Sequence, residues 1–186
     1  MNKIFTIIFT SVFSLFLLFS VTERTQAQYL EDSQLVTDPG DITFGLGLTQ
    51  GTSTGLLENA EFGLTAQLYF TITEIIRAGA DFTYYSIGER DLGANELNFN
   101  AHYLIRNRGS LVFYGLGGIN ISNTSGSDER WRVERDIGDP NTRKLGLNAG
   151  VGLDLRFGNL MVFGESKATL FGGSQFVLTG GVRYIL

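Results

Sequence analysis

The sequence predicts an all-β protein that folds as an eight-stranded, antiparallel, up-and-down β-barrel. Eight segments alternate apolar and polar side chains with a period of two, which is the period of a β-strand. Glycine occurs 24 times in 186 residues, and both prolines lie outside the alternating segments. Strands favour aromatic residues, which are plentiful here, and exclude proline from their interior, so composition and pattern agree.

The N-terminus predicts an export signal. Lys3 gives a basic start, residues 4–21 are apolar, and small residues follow at 25–27. We therefore assign residues 1–27 to a cleavable signal peptide, 28–40 to an N-terminal periplasmic segment and 41–186 to the barrel. An uncleaved membrane helix is the alternative, but serine and threonine interrupt the apolar stretch and no basic flank follows it.

Charge and cysteine content narrow the class further. The chain carries a net charge of −5, and the part after residue 27 is more acidic still, which argues against a nucleic-acid partner. No cysteine is present, so the sequence predicts neither a lipid-anchored lipoprotein nor disulfides.

Four alternating segments fill the first half of the predicted barrel. They are residues 41–50, 60–70, 76–85 and 96–106. In the first, Ile42, Phe44 and Leu46 oppose threonine and glycine. The next two segments repeat this pattern. In the fourth, apolar residues alternate with asparagine, histidine and charged residues, and Leu104 is the one apolar residue on the polar side.

Four further segments fill the second half. They are residues 111–122, 144–156, 160–170 and 176–186. The fifth has apolar residues or glycine on both faces, so its register stays open. The sixth alternates most clearly, with Val151 on the apolar face and Gly150 on the polar face, where we expect serine to cost much less than arginine at position 151.

Segment length and loop length both indicate a membrane. Segments of about 10–13 residues match the span of a tilted transmembrane strand and exceed the typical strand of a soluble sheet. Short connections follow segments two, four and six, and mostly longer polar connections follow one, three, five and seven, of which the last is itself short. Short turns at one end and long loops at the other are typical of outer-membrane barrels.

Ten charged residues fall on the polar faces and none on the apolar ones. They are Glu61, Arg77, Asp81, Glu96, Arg106, Asp154, Arg156, Glu165, Lys167 and Arg183. Five acids balance five bases, as a water-poor interior demands, because an unpaired buried charge is costly. We therefore expect these residues to form a charge network that fills the lumen of a membrane barrel. Alternation alone leaves a soluble barrel with its polar face outside as the alternative.

The final segment, FVLTGGVRYIL, resembles the C-terminal assembly signal of bacterial outer-membrane barrels. The residues that carry this resemblance are Phe176, Leu178, Val182, Tyr184 and Leu186. Residues 40–186 as a whole resemble the small OmpX-like and OmpA-barrel-like families. The resemblance implies a monomer in the bacterial outer membrane, in contact with lipid bilayer and lipopolysaccharide and recognised by the barrel assembly machinery. Such signals usually end in an aromatic residue, whereas this chain has Leu186 there.

No catalytic, metal or cofactor site is predicted. The sole histidine, His102, lies on the polar face without cysteine or a second histidine, so we expect a hydrogen-bonded lumen residue. An acyl-transferring barrel is the enzyme hypothesis, and no Ser/His/Asp set supports it. We expect a non-enzymatic protein.

The loop at residues 123–143 is the predicted interaction site. It contains Trp131 between Arg130 and Arg132, and its alternation fits a hairpin that protrudes beyond the membrane, with a solvated mobile loop as the alternative. Such a hairpin would bind extracellular proteins by strand addition. The sequence thus predicts a structural or surface-interaction, adhesion-like role, with a lipocalin-like binder of apolar ligands and a small-solute channel as alternatives.

Overall fold

The computed structural model describes residues 34–52, 61–87, 92–126, 142–171 and 175–186. The predicted signal peptide and the loop residues Arg130, Trp131 and Arg132 lie outside these ranges. Over the described ranges the chain forms eight strands. They are β1 (Ile42–Thr52), β2 (Glu61–Thr73), β3 (Ile76–Ile87), β4 (Leu92–Arg108), β5 (Leu111–Gly126), β6 (Thr142–Phe157), β7 (Leu160–Leu170) and β8 (Gln175–Ile185).

The strands form one closed antiparallel barrel in chain order. Each strand pairs with its neighbours in sequence, and β1 pairs with β8. Phe44 lies opposite Tyr184, and the Leu186 amide donates to the Ile42 carbonyl at 2.9 Å. The last strand therefore closes the sheet against the first and leaves no free edge along their shared length. The eight-stranded barrel predicted from the sequence is confirmed.

No helix in the described part of the chain is long and apolar enough to cross a membrane.

The two faces of the barrel are the reverse of those in a soluble barrel. Large apolar side chains cover the outside, where Leu48 and Leu145 are 65% and 66% exposed, while Arg77 and Asp154 are fully buried in the interior. A soluble barrel would need the opposite arrangement, because its apolar face forms the core. The lipocalin-like alternative, with an apolar interior, is therefore wrong.

A β-bulge in β4 changes which residues face inward near its end. The pairing with β5 shifts between Leu104 and Arg106, so one extra residue is inserted. Leu104 still points inward in phase with His102, whereas Ile105 and Arg106 both point outward and Asn107 points inward again. The prediction that Arg106 belongs to the lumen network is wrong for this reason.

The structure also fixes the register of β5, which the sequence left open. Val112, Tyr114 and Leu116 are buried inside, whereas Phe113 and Ile119 are exposed outside. The inward set includes Tyr114, whose hydroxyl reaches Glu165 in the charged centre of the barrel.

Candidate functional site: the charge network in the lumen

Two buried arginines from different strands meet at the centre of the lumen. Arg77 of β3 places Nη1 3.0 Å from Asp154 Oδ2, and Arg183 of β8 bonds to the other oxygen of the same carboxylate. The second nitrogen of the Arg183 fork lies 2.6 Å from Glu165 Oε1. Four strands are thus tied across the barrel by charge-assisted bonds, which are stronger than neutral hydrogen bonds.

Neutral side chains complete the coordination of Glu165. The Tyr114 hydroxyl donates to Glu165 Oε1 at 2.8 Å, and Gln67 Nε2 donates to Oε2 at 3.0 Å. Gln67 in turn accepts a hydrogen bond from Arg183 Nε at 2.9 Å, and the Arg183 guanidinium lies over the Phe163 ring at 4.1 Å. Each buried charge here has partners on several sides, as an ion pair in a dry interior requires.

A second centre surrounds Asp81. Lys167 Nζ lies 3.2 Å from Asp81 Oδ1. The amides of Asn98 and Asn100 donate to the same carboxylate, each at 2.6 Å, and the Tyr69 hydroxyl donates at 3.2 Å. Asp81 therefore accepts four bonds from three strands, β2, β4 and β7.

His102 is built into this network. Arg77 Nε donates to His102 Nδ1 at 3.3 Å, so Nδ1 carries a lone pair and the proton of the neutral ring belongs on Nε2. The ring stacks on Tyr114 with centroids 4.5 Å apart, and Nε2 lies 3.9 Å from Glu165 Oε1. These contacts place His102 as a packed lumen residue.

The ten predicted network residues fall into four groups by their placement. Seven are buried in the interior, namely Arg77, Asp81, Glu96, Asp154, Glu165, Lys167 and Arg183. Arg156 is half-buried at the short-turn end, Arg106 is on the outer surface, and the side chain of Glu61 lies outside the described part. The described interior thus holds four acids and three bases rather than the balanced set we expected.

Glu96 is the acid farthest from the central arginines. It accepts hydrogen bonds from Gln175 Nε2 and, at 3.5 Å, from the Tyr85 hydroxyl. Both partners are uncharged and lie toward the long-loop end. Glu96 is therefore held by hydrogen bonds, and the ion pairs are concentrated deeper in the lumen.

Glycines on the inner face make room for these large side chains. A Cβ added at Gly152 would lie 2.2 Å from Tyr114 Cζ, and one at Gly45 would lie 2.9 Å from Arg183 Cγ. Such distances are shorter than van der Waals contact. The glycine runs of the sequence therefore serve packing in a narrow barrel.

Sequence reasoning missed the residues at the short-turn end of the lumen. Val36 and Thr37 precede β1 and are fully buried there, in contact with Asn107. The available signal was Leu104, the one apolar residue on the polar side of β4, because it packs with Val36 in the buried apolar cluster.

The residues of the predicted C-terminal assembly signal lie mainly on the outer face of β8. Phe176, Val182, Tyr184 and Leu186 are exposed, and Leu178 is half-exposed. Their side chains contribute to the apolar surface beside the β1 strand.

No protein-family model matches the chain, and no curated protein matches it by sequence. Solved structures do match. The N-terminal β-barrel domain of OprF from Pseudomonas aeruginosa has a TM-score of 0.60 at 13% identity, covering 80% of this chain and 98% of that one. The outer membrane protein OprG of the same organism has a TM-score of 0.56 at 12% identity, covering 82% and 99%.

A third match is Ail, the attachment invasion locus protein of Yersinia pestis, in complex with the heparin analogue sucrose octasulfate. Its TM-score is 0.55 at 16% identity, covering 79% of this chain and 97% of that one. At such identities the matches show the fold. The fold is that of the small bacterial outer-membrane β-barrels.

Proposed function

We propose that this protein is a non-enzymatic, monomeric integral protein of the bacterial outer membrane with a structural or surface-interaction role. The observation that carries the proposal is the reversal of the two faces. An outer surface rich in exposed Leu, Ile and Phe is stable in lipid and unstable in water. The fold shared with outer-membrane barrels supports the same compartment.

Cell fractionation tests this placement. The mature chain is expected in the detergent-extracted outer membrane, and purified unfolded chain is expected to fold into lipid vesicles as a monomer. Recovery of the chain in the soluble periplasmic fraction would contradict the proposal.

We infer that the lumen is plugged. Support comes from the buried charge network, since Arg77, Arg183 and Lys167 each reach a carboxylate across the interior. An eight-stranded barrel has an interior that side chains fill. In planar bilayers the protein is expected to give no sustained conductance, and steady ohmic steps would favour the small-solute channel instead.

The last strand is proposed to be the part recognised by the barrel assembly machinery. The exposed ring of Tyr184 and the exposed Leu186 support this, because both side chains lie on the outer surface and are not needed for packing in the lumen. Tyr184→Ala is expected to lower the amount of protein in the outer membrane of cells while folding into vesicles from denaturant is unchanged. Equal losses in both assays would contradict recognition and indicate a stability defect.

A surface-interaction role is supported by the unequal lengths of the strands. β4, β5 and β6 have 17, 16 and 16 residues, whereas β1, β7 and β8 have 11 each. β6 pairs with β5 from Thr142 onward but with β7 only from Leu147 onward. Residues 142–146 therefore have no strand on the β7 side among the described residues.

Such an edge is a template for strand addition, so we propose that it and the adjoining loop of residues 123–143 bind extracellular proteins. Arg143 is exposed beside this edge and gives it a positive charge suited to acidic partners and to lipopolysaccharide phosphates. Ail, which shares the fold, was crystallised with a sulfated heparin analogue.

Proline substitutions test the edge. Adjacent amides of a strand point to opposite neighbours, so of Arg143→Pro and Lys144→Pro one removes a bond to β5 and the other removes a donor on the β7 side, where the described residues supply no strand. We expect the second kind of variant to fold normally and lose binding to immobilised extracellular-matrix proteins. If that variant still binds like the native protein, strand addition at this edge is excluded.

A further inference from the structure

The segment before β1 enters the barrel from its short-turn end. Val36 and Thr37 are both fully buried, although they lie outside every strand. The chain reverses at residues 38–41, where the Asp41 amide donates to the Asp38 carbonyl at 3.0 Å and Gly40 has a φ of +101°. Glycine suits that backbone conformation. Residues 35–41, here called the latch, therefore fold back into the lumen.

The side chain of Asn107 makes most of the hydrogen bonds to the latch. Its Oδ1 accepts the amides of Val36 at 3.1 Å and Thr37 at 3.0 Å, and its Nδ2 donates to the Thr37 carbonyl at 2.9 Å. Nδ2 also donates to the carbonyl of Glu74 at 3.1 Å. An asparagine side chain that satisfies three backbone groups of one segment is a specific receptor for that segment.

The latch connects all three short turns. Glu74 belongs to the β2–β3 turn, and Asn107 lies just before the β4–β5 turn. Arg156 donates from Nη1 to the Val36 carbonyl and from Nε to the Gly158 carbonyl of the β6–β7 turn. The Gly40 amide adds a bond to the Thr71 carbonyl at 2.8 Å.

Val36 closes the end of the lumen by apolar packing. Its side chain belongs to a buried cluster with Leu104, Val112, Met161 and Ile185. This apolar layer lies between the short turns and the charged centre. Tyr114 and Phe163 contact Arg183. Val112 and Met161 are the inward residues just before them, one step closer to the short turns. Val36 is therefore part of the apolar layer between the short turns and the charges.

We propose that residues 35–41 are a releasable latch that closes the short-turn end of the lumen. When Val36 and Thr37 leave Asn107, the apolar layer opens to solvent while the charge network and the long-loop half stay closed. This goes beyond a plugged lumen, because it assigns the closure of one end to a segment outside the barrel wall.

Cysteine labelling tests the latch, since the chain has no cysteine of its own. Met161→Cys reports on the apolar layer and Val177→Cys on the long-loop half, both being buried in the native barrel. A membrane-impermeant maleimide is applied to the full mature chain in micelles. Asn107→Ala is expected to raise the labelling rate at position 161 by about tenfold, or ~1.4 kcal/mol of opening free energy, and to leave position 177 unchanged.

Two further variants protect this test against misfolding. Arg156→Gln removes one bond to the latch from the half-buried rim and is expected to accelerate labelling at position 161 by a smaller factor. Asn120→Ala, in the long-loop half, is expected to leave position 161 unchanged. The latch is refuted if position 161 in the native background reacts as fast as an exposed cysteine. It is also refuted if neither Asn107→Ala nor Arg156→Gln accelerates position 161, or if positions 161 and 177 accelerate together.

Discussion

Glycines on the two faces of this barrel are constrained in different ways. On the inner face, a Cβ added at Gly150 would lie 2.3 Å from the Ser166 carbonyl oxygen. On the outer face, a Cβ added at Gly164 or Gly115 would meet nothing within 4 Å. The inner face is determined by contacts within the chain, whereas the outer face has to satisfy only the apolar solvent around it.

Charge follows the same division. Arg183 is buried inside against two carboxylates, and Arg143 is exposed outside at the end of the long β6 strand. A buried charge depends on its partners, because it has lost its hydration. Matched substitutions on the two faces therefore measure how much of the stability comes from interior contacts.

The largest difference is expected for the arginines. Arg183→Met leaves Glu165 without its 2.6 Å ion pair and Asp154 with Arg77 alone. Removing one partner of a buried ion pair typically costs about 3–5 kcal/mol, and we expect this loss in urea unfolding from lipid vesicles. Arg143→Met is the control, with an expected change within about 0.5 kcal/mol. Equal changes at the two positions would show that the network does not stabilise the fold.

The next effect concerns depth on the outer face. Val151→Arg, near the middle of β6, is expected to cost about 2–4 kcal/mol, and Leu145→Arg and Leu155→Arg, toward its ends, about 0–1 kcal/mol. The arginine side chain reaches lipid head groups only from the ends. All three are measured by the same vesicle unfolding. A penalty independent of depth would contradict a lipid-facing surface for β6.

Paired glycine substitutions give a smaller effect. Gly150→Ala places its Cβ against the β7 backbone, which cannot move aside cheaply, and is expected to cost about 1–3 kcal/mol of unfolding free energy. Gly164→Ala is expected to be neutral or to stabilise by up to ~1 kcal/mol, because it reduces the freedom of the unfolded chain. Serine at Gly150, which we expected to cost much less than arginine at Val151, would place its Cβ against the same backbone. A larger loss at Gly164 than at Gly150 would contradict the comparison.

The fold could be predicted because it depends on a pattern that is local in sequence. A period of two fixes which residues share a face, and in β6 this assigns Val151 and Gly150 to opposite faces without knowledge of the rest. Strand number and closure then follow from counting segments. In β5 the pattern did not tell which face is inward, because apolar residues or glycine occupy both; a Cβ added at Gly115 would meet nothing within 4 Å, whereas one at Gly118 would lie 2.1 Å from the Phe99 carbonyl oxygen.

The site could be predicted only in part, because its geometry is not local. One inserted residue in β4 exchanges the faces of Arg106 and Asn107, and a bulge is visible only in the pairing with β5. The partners of Arg183 lie on β6 and β7, and which carboxylates it reaches depends on the stagger of the closed barrel. The latch required the same information, since Val36 meets Asn107 across 71 residues of chain.

The smallest predicted effect separates paired from unpaired polarity within the inner face itself. The Thr65 hydroxyl bonds to those of Thr49 and, at 2.8 Å, Thr83, whereas the buried Thr71 hydroxyl has no hydrogen-bond partner among the described residues. Valine has nearly the shape of threonine, so each substitution removes the hydroxyl with little change in packing.

Thr65→Val is expected to cost about 0.5–1.5 kcal/mol of unfolding free energy, the net value of ordinary hydrogen bonds. Thr71→Val is expected to cost nothing or to stabilise slightly, because it removes a buried polar group that gains no bond on folding. A larger loss of unfolding free energy for Thr71→Val than for Thr65→Val would contradict this explanation. It would mean that hydrogen bonding between inward side chains is not what stabilises the polar interior.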